Sequence, residues 1–179
     1  WRIKVKCFIT VLLFIYSSAA NAMNVEINDG KNSYLQEKHV FNGFGCSGGN
    51  LIPEISWSDI PEKAKYISIT VYDPDAPTGG GWWHWVITNI PAAIFKGISA
   101  DNYADVVKSG AIESITSFGQ AGYGGPCPPE GHTPHRYVFK VYALENKLDA
   151  NPAAQPGLMG FQLNAQAIST ATSTLLYGR

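Results

Sequence analysis

Hydrophobic and polar residues alternate along several stretches of the chain, and this alternation predicts β-strands. In the clearest stretch, Ile67, Ile69 and Val71 fall on one face while Ser68 and Thr70 fall on the other, as the two-residue period of a strand requires. The predicted strands, three long and two short, cover Tyr66–Asp73, Trp82–Ile90, His135–Leu144, Val25–Ile27 and Ile52–Trp57.

A helical pattern ends the chain, beginning after Pro156-Gly157 and followed by Gly178. The residues at helical spacing are Leu158, Phe161, Ala165, Ile168, Thr172 and Leu175, which predicts one long amphipathic helix. A shorter helix is predicted near Asp101–Lys108. Because strands dominate and helices lie at the end and edges, the pattern predicts a mostly β, antiparallel domain.

The first 22 residues have the features of a secretory signal peptide. Three basic residues precede Phe8–Tyr16, an apolar core of nine residues, and Ala20-Asn21-Ala22 fits a signal-peptidase site. This apolar core is shorter than the about 20 residues that span a bilayer, although a retained membrane anchor is the alternative. We therefore expect a signal peptide over residues 1–22, cleaved after Ala22, a single domain over residues 23–179, and a periplasmic or secreted protein.

Charge restricts the partners of this expected domain. Removal of residues 1–22 takes away three of the 13 basic residues and none of the 14 acidic ones, which leaves a formal charge of −4. The only remaining arginines are Arg136 and Arg179, and the lysines are scattered. This argues against nucleic acid or an anionic membrane surface as a main partner, and we expect no stable membrane insertion.

Two cysteines, Cys46 and Cys127, remain once Cys7 leaves with the signal peptide. An even pair in an oxidising compartment is commonly joined, so we expect a Cys46–Cys127 disulfide. A reactive thiol, which would require an unpaired cysteine of low pKa, is the alternative.

Two Pro/Gly-rich turns open onto predicted strands and carry titratable side chains. The first turn lies between Asp73 and His84, and the second precedes His135 and Tyr137. Loops held by a rigid sheet commonly carry binding and catalytic groups. We therefore expect these four side chains to meet at one hollow.

The same residues also allow two catalytic interpretations. A serine hydrolase would use Ser47 in Gly45-Cys-Ser-Gly-Gly49, which matches G-x-S-x-G, but the turn residues that follow do not favour the helix that a nucleophile elbow needs. A zinc site would draw its ligands from His84, His132 and His135, with Asp73 or Cys127.

The interpretation that we favour is a small anion pocket. His84 and His135 would donate N–H bonds, Tyr137 would donate its hydroxyl, and Asp73 would hold an imidazole in one tautomer. Two or three such bonds, at roughly 1.5–3 kcal/mol each, predict micromolar to millimolar affinity.

Several motifs together resemble the phosphatidylethanolamine-binding protein family, and most of all its bacterial, Raf-kinase-inhibitor-like branch. The motifs are Asp73-Pro-Asp-Ala-Pro77, Trp82-Trp-His-Trp85, Gly122-Tyr-Gly-Gly-Pro126 and Pro134-His-Arg-Tyr-Val-Phe139, with Gly45–Asn50 and Ser56-Trp57 in support. The resemblance covers nearly all of residues 23–179. It departs from the family pattern at Ser117, where an Asp is usual, and at Gln166, where a His is common.

The resemblance implies a β-sandwich with short peripheral helices and a C-terminal helix, and a pocket for phosphate or phosphoryl headgroups. It also implies that one or both prolines of the first motif are cis. The ligand-binding residues that it implies are Asp73, Pro77, Trp82, His84, Gly125, Pro126, Cys127, His135 and Tyr137.

The expected function is that of an exported, non-enzymatic binding or inhibitor-like module that requires no cofactor or metal. Its partners would be a small anion or phosphorylated ligand and a protein such as a kinase or protease, and a homodimer is compatible with this function. The alternative is a hydrolase or metal-dependent enzyme that uses His84 or His135 as a general base. No nucleophile stands beside these histidines in the sequence, which favours binding.

Overall fold

The computed structural model describes residues 22–30 and 33–179. Its ten strands are Asn24–Ile27 (β1), Asn42–Gly43 (β2), Cys46–Ser47 (β3), Ile55–Ser58 (β4), Tyr66–Asp73 (β5), Trp82–Pro91 (β6), Gly97–Ile98 (β7), Ile112–Glu113 (β8), His135–Leu144 (β9) and Ser169–Tyr177 (β10). Its helices are a 3₁₀ turn at Glu37–His39 and two α-helices, Tyr103–Lys108 (α1) and Pro156–Gln166 (α2). The predicted mostly β fold is confirmed, and the predicted signal peptide lies outside the described residues except for Ala22.

Five strands form the main sheet in the order β10-β9-β5-β6-β8, and β1-β4-β7 form a second, smaller sheet. The pairs within both sheets are antiparallel. The central strand β5 is buried on both faces from Ile67 to Val71, because one face of the main sheet packs on the smaller sheet and the other on α2. This two-layer arrangement with a covering helix buries apolar side chains on each side of the sheet.

The larger core lies between the two sheets, where Ile55, Ile69, Trp85 and Phe139 are fully buried. A smaller core lies under α2 and is formed around Met159 and Leu163. Burial of each such large side chain stabilises the fold by about 1.5–3 kcal/mol. Both faces of the main sheet are therefore packed against other parts of the protein, although the alternation that predicted the strands is typical of a sheet with one face in solvent.

The predicted C-terminal helix is correct only in its first part. The helix α2 ends at Gln166, and residues Ser169–Tyr177 form β10, which pairs with β9 along its length. The four-residue spacing of Ala171 and Leu175 fits a helix and a strand alike, and in β10 both side chains face the core with a two-residue period. Thr172, which the helical pattern placed on the same face as Leu175, is exposed on the other face of the strand. The Ser/Thr-rich composition of this stretch favours a strand, and pairing with β9 satisfies its backbone.

Among the described residues, none of the helices combines the length and apolar character needed to cross a membrane.

Candidate functional site

Three long strands have one end in common, and this end carries the candidate site. The strand β5 ends at Asp73, which pairs with Trp82 at the start of β6. The strand β9 begins at His135 on the other side of β5 and runs antiparallel to it. Because neighbouring antiparallel strands bring the end of one beside the start of the next, the two Pro/Gly-rich turns meet here.

Asp73 is buried and all of its carboxylate contacts are within the site. Its Oδ1 accepts hydrogen bonds from the backbone N–H of Asp75 at 2.8 Å and of Ala76 at 3.1 Å. Its Oδ2 accepts a bond of 2.8 Å from Nδ1 of His135. The carboxylate therefore closes its own turn and fixes the orientation of the neighbouring imidazole.

The implied cis proline in this turn is wrong, because every peptide bond of the described residues is trans. The Asp73 carboxylate bonds two consecutive turn residues, and the chain reverses through Gly79 and Gly81, both of which have positive φ.

His84 occupies a β-bulge at the start of β6. Val71 pairs with Trp85, whereas the next residue, Tyr72, pairs with Trp83, so His84 is an extra residue without a partner in β5. A bulge changes the direction of a side chain and is common beside functional sites. Here it points the imidazole into the hollow at the sheet end.

One nitrogen of the His84 ring is committed to the backbone. The Gly124 carbonyl accepts a bond of 2.7 Å from Nδ1, whereas the buried Nε2 has no hydrogen-bond partner among the described residues. Burial lowers the pKa of His84 from 6.5 to about 4, although the bond to Gly124 and the charge of Asp73 oppose this. The free protein thus holds a neutral imidazole with Nδ1 protonated.

Tyr137 and His135 complete the polar side of the hollow. The buried Tyr137 hydroxyl also lacks a partner among the described residues, and burial raises its pKa. Its ring meets the His84 ring edge-on with centroids 5.1 Å apart. His135 Nε2 lies 3.3 Å from Nδ1 of His132, which is in the exposed turn before β9.

These groups surround a cavity of about 170 Å³. The predicted site residues that line it are Asp73, Pro77, Trp82, His84, Cys127, His135 and Tyr137. The remaining lining residues, which were not among the predicted ligand-binding residues, are Phe44, Ala76, Thr78, Phe118, Pro128 and Pro129.

Two predicted site residues, Gly125 and Pro126, lie behind this cavity and do not line it. Gly125 donates its N–H to Asn50 Oδ1 at 2.8 Å, and the Pro126 carbonyl accepts from Phe41 at 3.0 Å. A Cβ on Gly125 would collide with the backbone carbonyl oxygen of His39. Their role in the structure is to hold the rim against the 3₁₀ turn, which requires close backbone approach.

The predicted disulfide between Cys46 and Cys127 is present, with the two Cα atoms 6.0 Å apart. It ties the Gly45–Asn50 segment to the rim of the cavity, which Cys127 lines. Phe44, which none of the predicted motifs included, lines the same cavity. This exposed side chain stands two residues before Cys46 and is brought to the cavity by the cross-link.

Aromatic rings cover one side of the cavity mouth. Phe118 packs edge-on against Trp82 at 5.3 Å and lies stacked with Phe44 at 5.9 Å between centroids. Phe41 joins this cluster at 4.6 Å from Phe118. The wall of the site is therefore mostly apolar, with a small number of polar atoms at its base, as ligand pockets usually are.

The charged groups nearest the cavity are paired. Arg136 points away from it and holds Asp75 through two side-chain contacts of 2.7 and 2.9 Å. This arginine lowers the pKa of Asp75 to about 2. Among the described residues, Asp73 and His135 are thus the hydrogen-bonded acid–base pair that lines the cavity itself.

Both departures from the family pattern have defined places. Ser117 Oγ accepts a bond of 2.9 Å from the Trp83 N–H, and so joins the Phe118 loop to β6. Gln166 is exposed at the last position of α2, remote in sequence from the cavity residues.

The structure offers no support for the two catalytic interpretations. Ser47 lies in the two-residue strand β3 and is followed by packed turn glycines, not by a helix, so it is not in a nucleophile elbow. Cys127 is bound in the disulfide. No group of three or more His, Cys, Asp or Glu side chains suited to a metal ion occurs within residues 22–30 and 33–179.

Comparisons with known proteins agree with this fold. The family model for phosphatidylethanolamine-binding protein matches residues 31–178. UPF0098 protein YbcL of Escherichia coli K12 is 46% identical over 173 residues, which is 94% of each chain. UPF0098 protein YbhB of the same organism is 40% identical over 147 residues, covering 80% of this chain and 91% of its own.

Two solved structures are similar along the same length. The crystal structure of E. coli YbcL, described as a new member of the mammalian PEBP family, has a TM-score of 0.81 at 43% identity and covers 89% of this chain and 99% of its own. The crystal structure of the phosphatidylethanolamine-binding protein homolog CT736 of Chlamydia trachomatis has a TM-score of 0.72 at 26% identity. It also covers 89% of this chain and 99% of its own. This chain therefore belongs to the phosphatidylethanolamine-binding protein family.

Proposed function

We propose that this protein is a non-enzymatic binding module that holds a small oxyanion, such as phosphate or a phosphoryl headgroup, in the cavity between Asp73 and Tyr137. The observation that carries the proposal is the pair of buried polar atoms, His84 Nε2 and the Tyr137 hydroxyl, that face one cavity without a partner among the described residues. Buried polar groups are almost always bonded. A bound polar ligand would supply the missing bonds.

The size and lining of the cavity support a small ligand. Its volume of about 170 Å³ is below the range of roughly 300–1,000 Å³ that is typical for drug-sized ligands. A phosphoryl headgroup fits this scale, and the apolar mouth around Phe44 and Trp82 would then receive the substituent that the phosphoryl group carries.

The same lining supports binding in preference to catalysis. Covalent catalysis needs an activated nucleophile beside a base. The hydroxyl of Thr78 donates to the Gly81 carbonyl, and the sulfur of Cys127 is in a disulfide. We further propose that the protein is exported, in keeping with the signal-like residues 1–22. We also propose that its cavity face, which carries the exposed Phe44 ring, contacts a protein partner.

An NMR titration tests the binding proposal. Inorganic phosphate and O-phosphorylethanolamine are expected to shift the imidazole signals of His84 and His135 with saturation in the micromolar to millimolar range. The ring of His39, whose Nδ1 bonds the Leu51 carbonyl away from this cavity, is the internal control. If only resonances outside residues 73–85 and 122–137 moved, the proposed site would be wrong.

An assay with ester and phosphoester substrates tests the non-enzymatic part. We expect no turnover above that of buffer. Turnover that is lost in His84→Ala would establish a hydrolase in its place.

A further inference from the structure

The two histidines of the cavity offer lone pairs to a ligand when their rings are neutral. A carbonyl oxygen only accepts hydrogen bonds, so the contact with Gly124 places the His84 proton on Nδ1. The contact with the Asp73 carboxylate places a proton on Nδ1 of His135 in the same way. In each neutral ring Nε2 is then an acceptor, which reverses the donor role that the sequence suggested.

His84 is the ring for which this assignment has the clearest consequence. Its Nε2 is buried in a residue that is 4% exposed, lines the cavity and has no partner among the described residues. By contrast, His135 Nε2 already faces Nδ1 of His132 at 3.3 Å. A ligand that reaches the base of the cavity therefore meets one committed acceptor in His84 and one rotatable hydroxyl in Tyr137.

The surroundings of His84 keep the ring neutral. The ionisable groups that face it are Asp73 from β5 and His135 and Tyr137 from β9, while the segment 118–125 contributes the Phe118 ring and the Gly124 carbonyl. Burial outweighs the attraction of Asp73 and keeps the pKa of His84 well below neutrality.

We propose that the cavity selects oxyacids that retain a hydroxyl group, with His84 Nε2 as the acceptor that reads this hydroxyl. Hydrogen phosphate has such a hydroxyl, whereas sulfate and a fully deprotonated phosphomonoester do not. This inference rests on the proposed function and adds a specificity to it. The hydroxyl of the ligand would donate to His84, and the Tyr137 hydroxyl would donate to one of its other oxygens.

The hydrogen bond that an anion without a proton fails to make sets the size of the preference. An anion without a proton would press an oxygen lone pair against the Nε2 lone pair and leave a buried acceptor unpaired. A site that is built to bond a hydroxyl can reject analogues lacking it by several orders of magnitude. Because this cavity is small and partly open, we expect the preference to be at least about tenfold.

Hydrogen phosphate and sulfate form a matched pair for the test. At pH 8 both are tetrahedral dianions, and they differ in one proton. Calorimetric titration of the full chain should show at least about tenfold tighter binding of phosphate than of sulfate. Methyl phosphate, whose last proton leaves near pH 6, should bind like sulfate at pH 8 and approach phosphate at pH 5.5.

Two variants separate the acceptor from the donor. In His84→Ala the acceptor is lost, so the ratio of phosphate to sulfate affinity should fall towards one. In Tyr137→Phe the donor is lost, so both affinities should fall while their ratio is retained.

The possible failures are distinguishable. Equal affinity of the unmodified protein for phosphate and sulfate at pH 8 would overturn this inference and leave the proposed oxyanion site intact. No binding of either anion at the cavity would overturn the proposed function and the inference with it.

Discussion

Single side chains at this site gain their properties from burial and from their contacts with distant parts of the chain. The sequence motif singles out Asp73 because it precedes Pro74. The hydrogen bonds of its carboxylate, however, come from two backbone N–H groups and the His135 ring. His84 is neutral because water is excluded around it, not because of its neighbours in sequence. Burial of this kind disfavours the charged form of a base. The extent of burial cannot be deduced from the residue type alone.

The lowered pKa of His84 makes stability depend on pH. In the unfolded chain the ring takes up a proton as the pH falls through 6.5, whereas in the folded protein it does so only near 4. The stabilising contribution is therefore complete above pH 6.5 and is lost as the pH falls towards 4, and it amounts to about 3 kcal/mol. Urea unfolding at pH 7.5 and pH 4 should show this loss.

His84→Ala provides the control for this pH dependence. Carboxylates also titrate over the same interval, but they do so in both proteins. The free energy of unfolding of the variant should therefore fall less between pH 7.5 and pH 4 than that of the unmodified protein. An equal fall in both would show that His84 titrates normally in the folded state.

At the scale of elements, the pairing of strands decided the features that the local hydrophobic pattern left undetermined. The bounds of β5 and β9 were predicted as observed, since a two-residue period over eight or more residues is a strong signal. The last strand was missed because its apolar positions fit a helix as well as a strand. Only its pairing with the edge of β9 shows that this stretch is a strand. The bulge at His84 was missed because it is a property of the β5–β6 register.

Close backbone approach at the rim loop leads to an element-scale prediction. Gly125→Ala should lower the free energy of unfolding by about 3 kcal/mol, because its Cβ would meet the His39 carbonyl oxygen and backbone cannot move aside as a flexible side chain can. Chemical denaturation measures the change. Gly157→Ala in α2 is the matched control, since nothing lies within 4 Å of a Cβ there.

The control should be neutral or stabilise by up to about 1 kcal/mol, as expected for alanine in a helix. Equal stability of Gly125→Ala and the unmodified protein would mean that the rim loop is not tightly held against the 3₁₀ turn.

For the whole molecule, the disulfide and the main sheet act together to assemble the cavity from distant segments. Phe44 and Phe118 come from loops that the sequence did not connect with Asp73. The cross-link joins residues that are 81 positions apart, and the sheet brings β5, β6 and β9 to one end. The hollow is therefore a product of the complete fold.

Loss of the disulfide should destabilise the protein and loosen this hollow. A loop of this length corresponds to about 4–5 kcal/mol in the chain-entropy model. We expect Cys46→Ser/Cys127→Ser to unfold at a lower urea concentration and to bind phosphate more weakly, because Cys127 lines the cavity.

Reductant should lower the midpoint of the unmodified protein and leave that of the double variant unchanged. A peptide map without reductant should contain the Cys46–Cys127 linked fragment. Free alkylation of both thiols would contradict the pairing.

The sequence by itself determined the mostly β fold, the strands β5, β6 and β9, the cysteine pair and the four polar residues that meet at the cavity, because short-range period, turn residues and motif order are all local properties of a chain. Tertiary structure decided that the last stretch is a strand, that Gly125 and Pro126 support the rim from behind, and that His84 presents a lone pair. These depend on contacts between residues far apart in the chain. Such contacts determine which backbone group each buried atom meets, and hence where its proton lies.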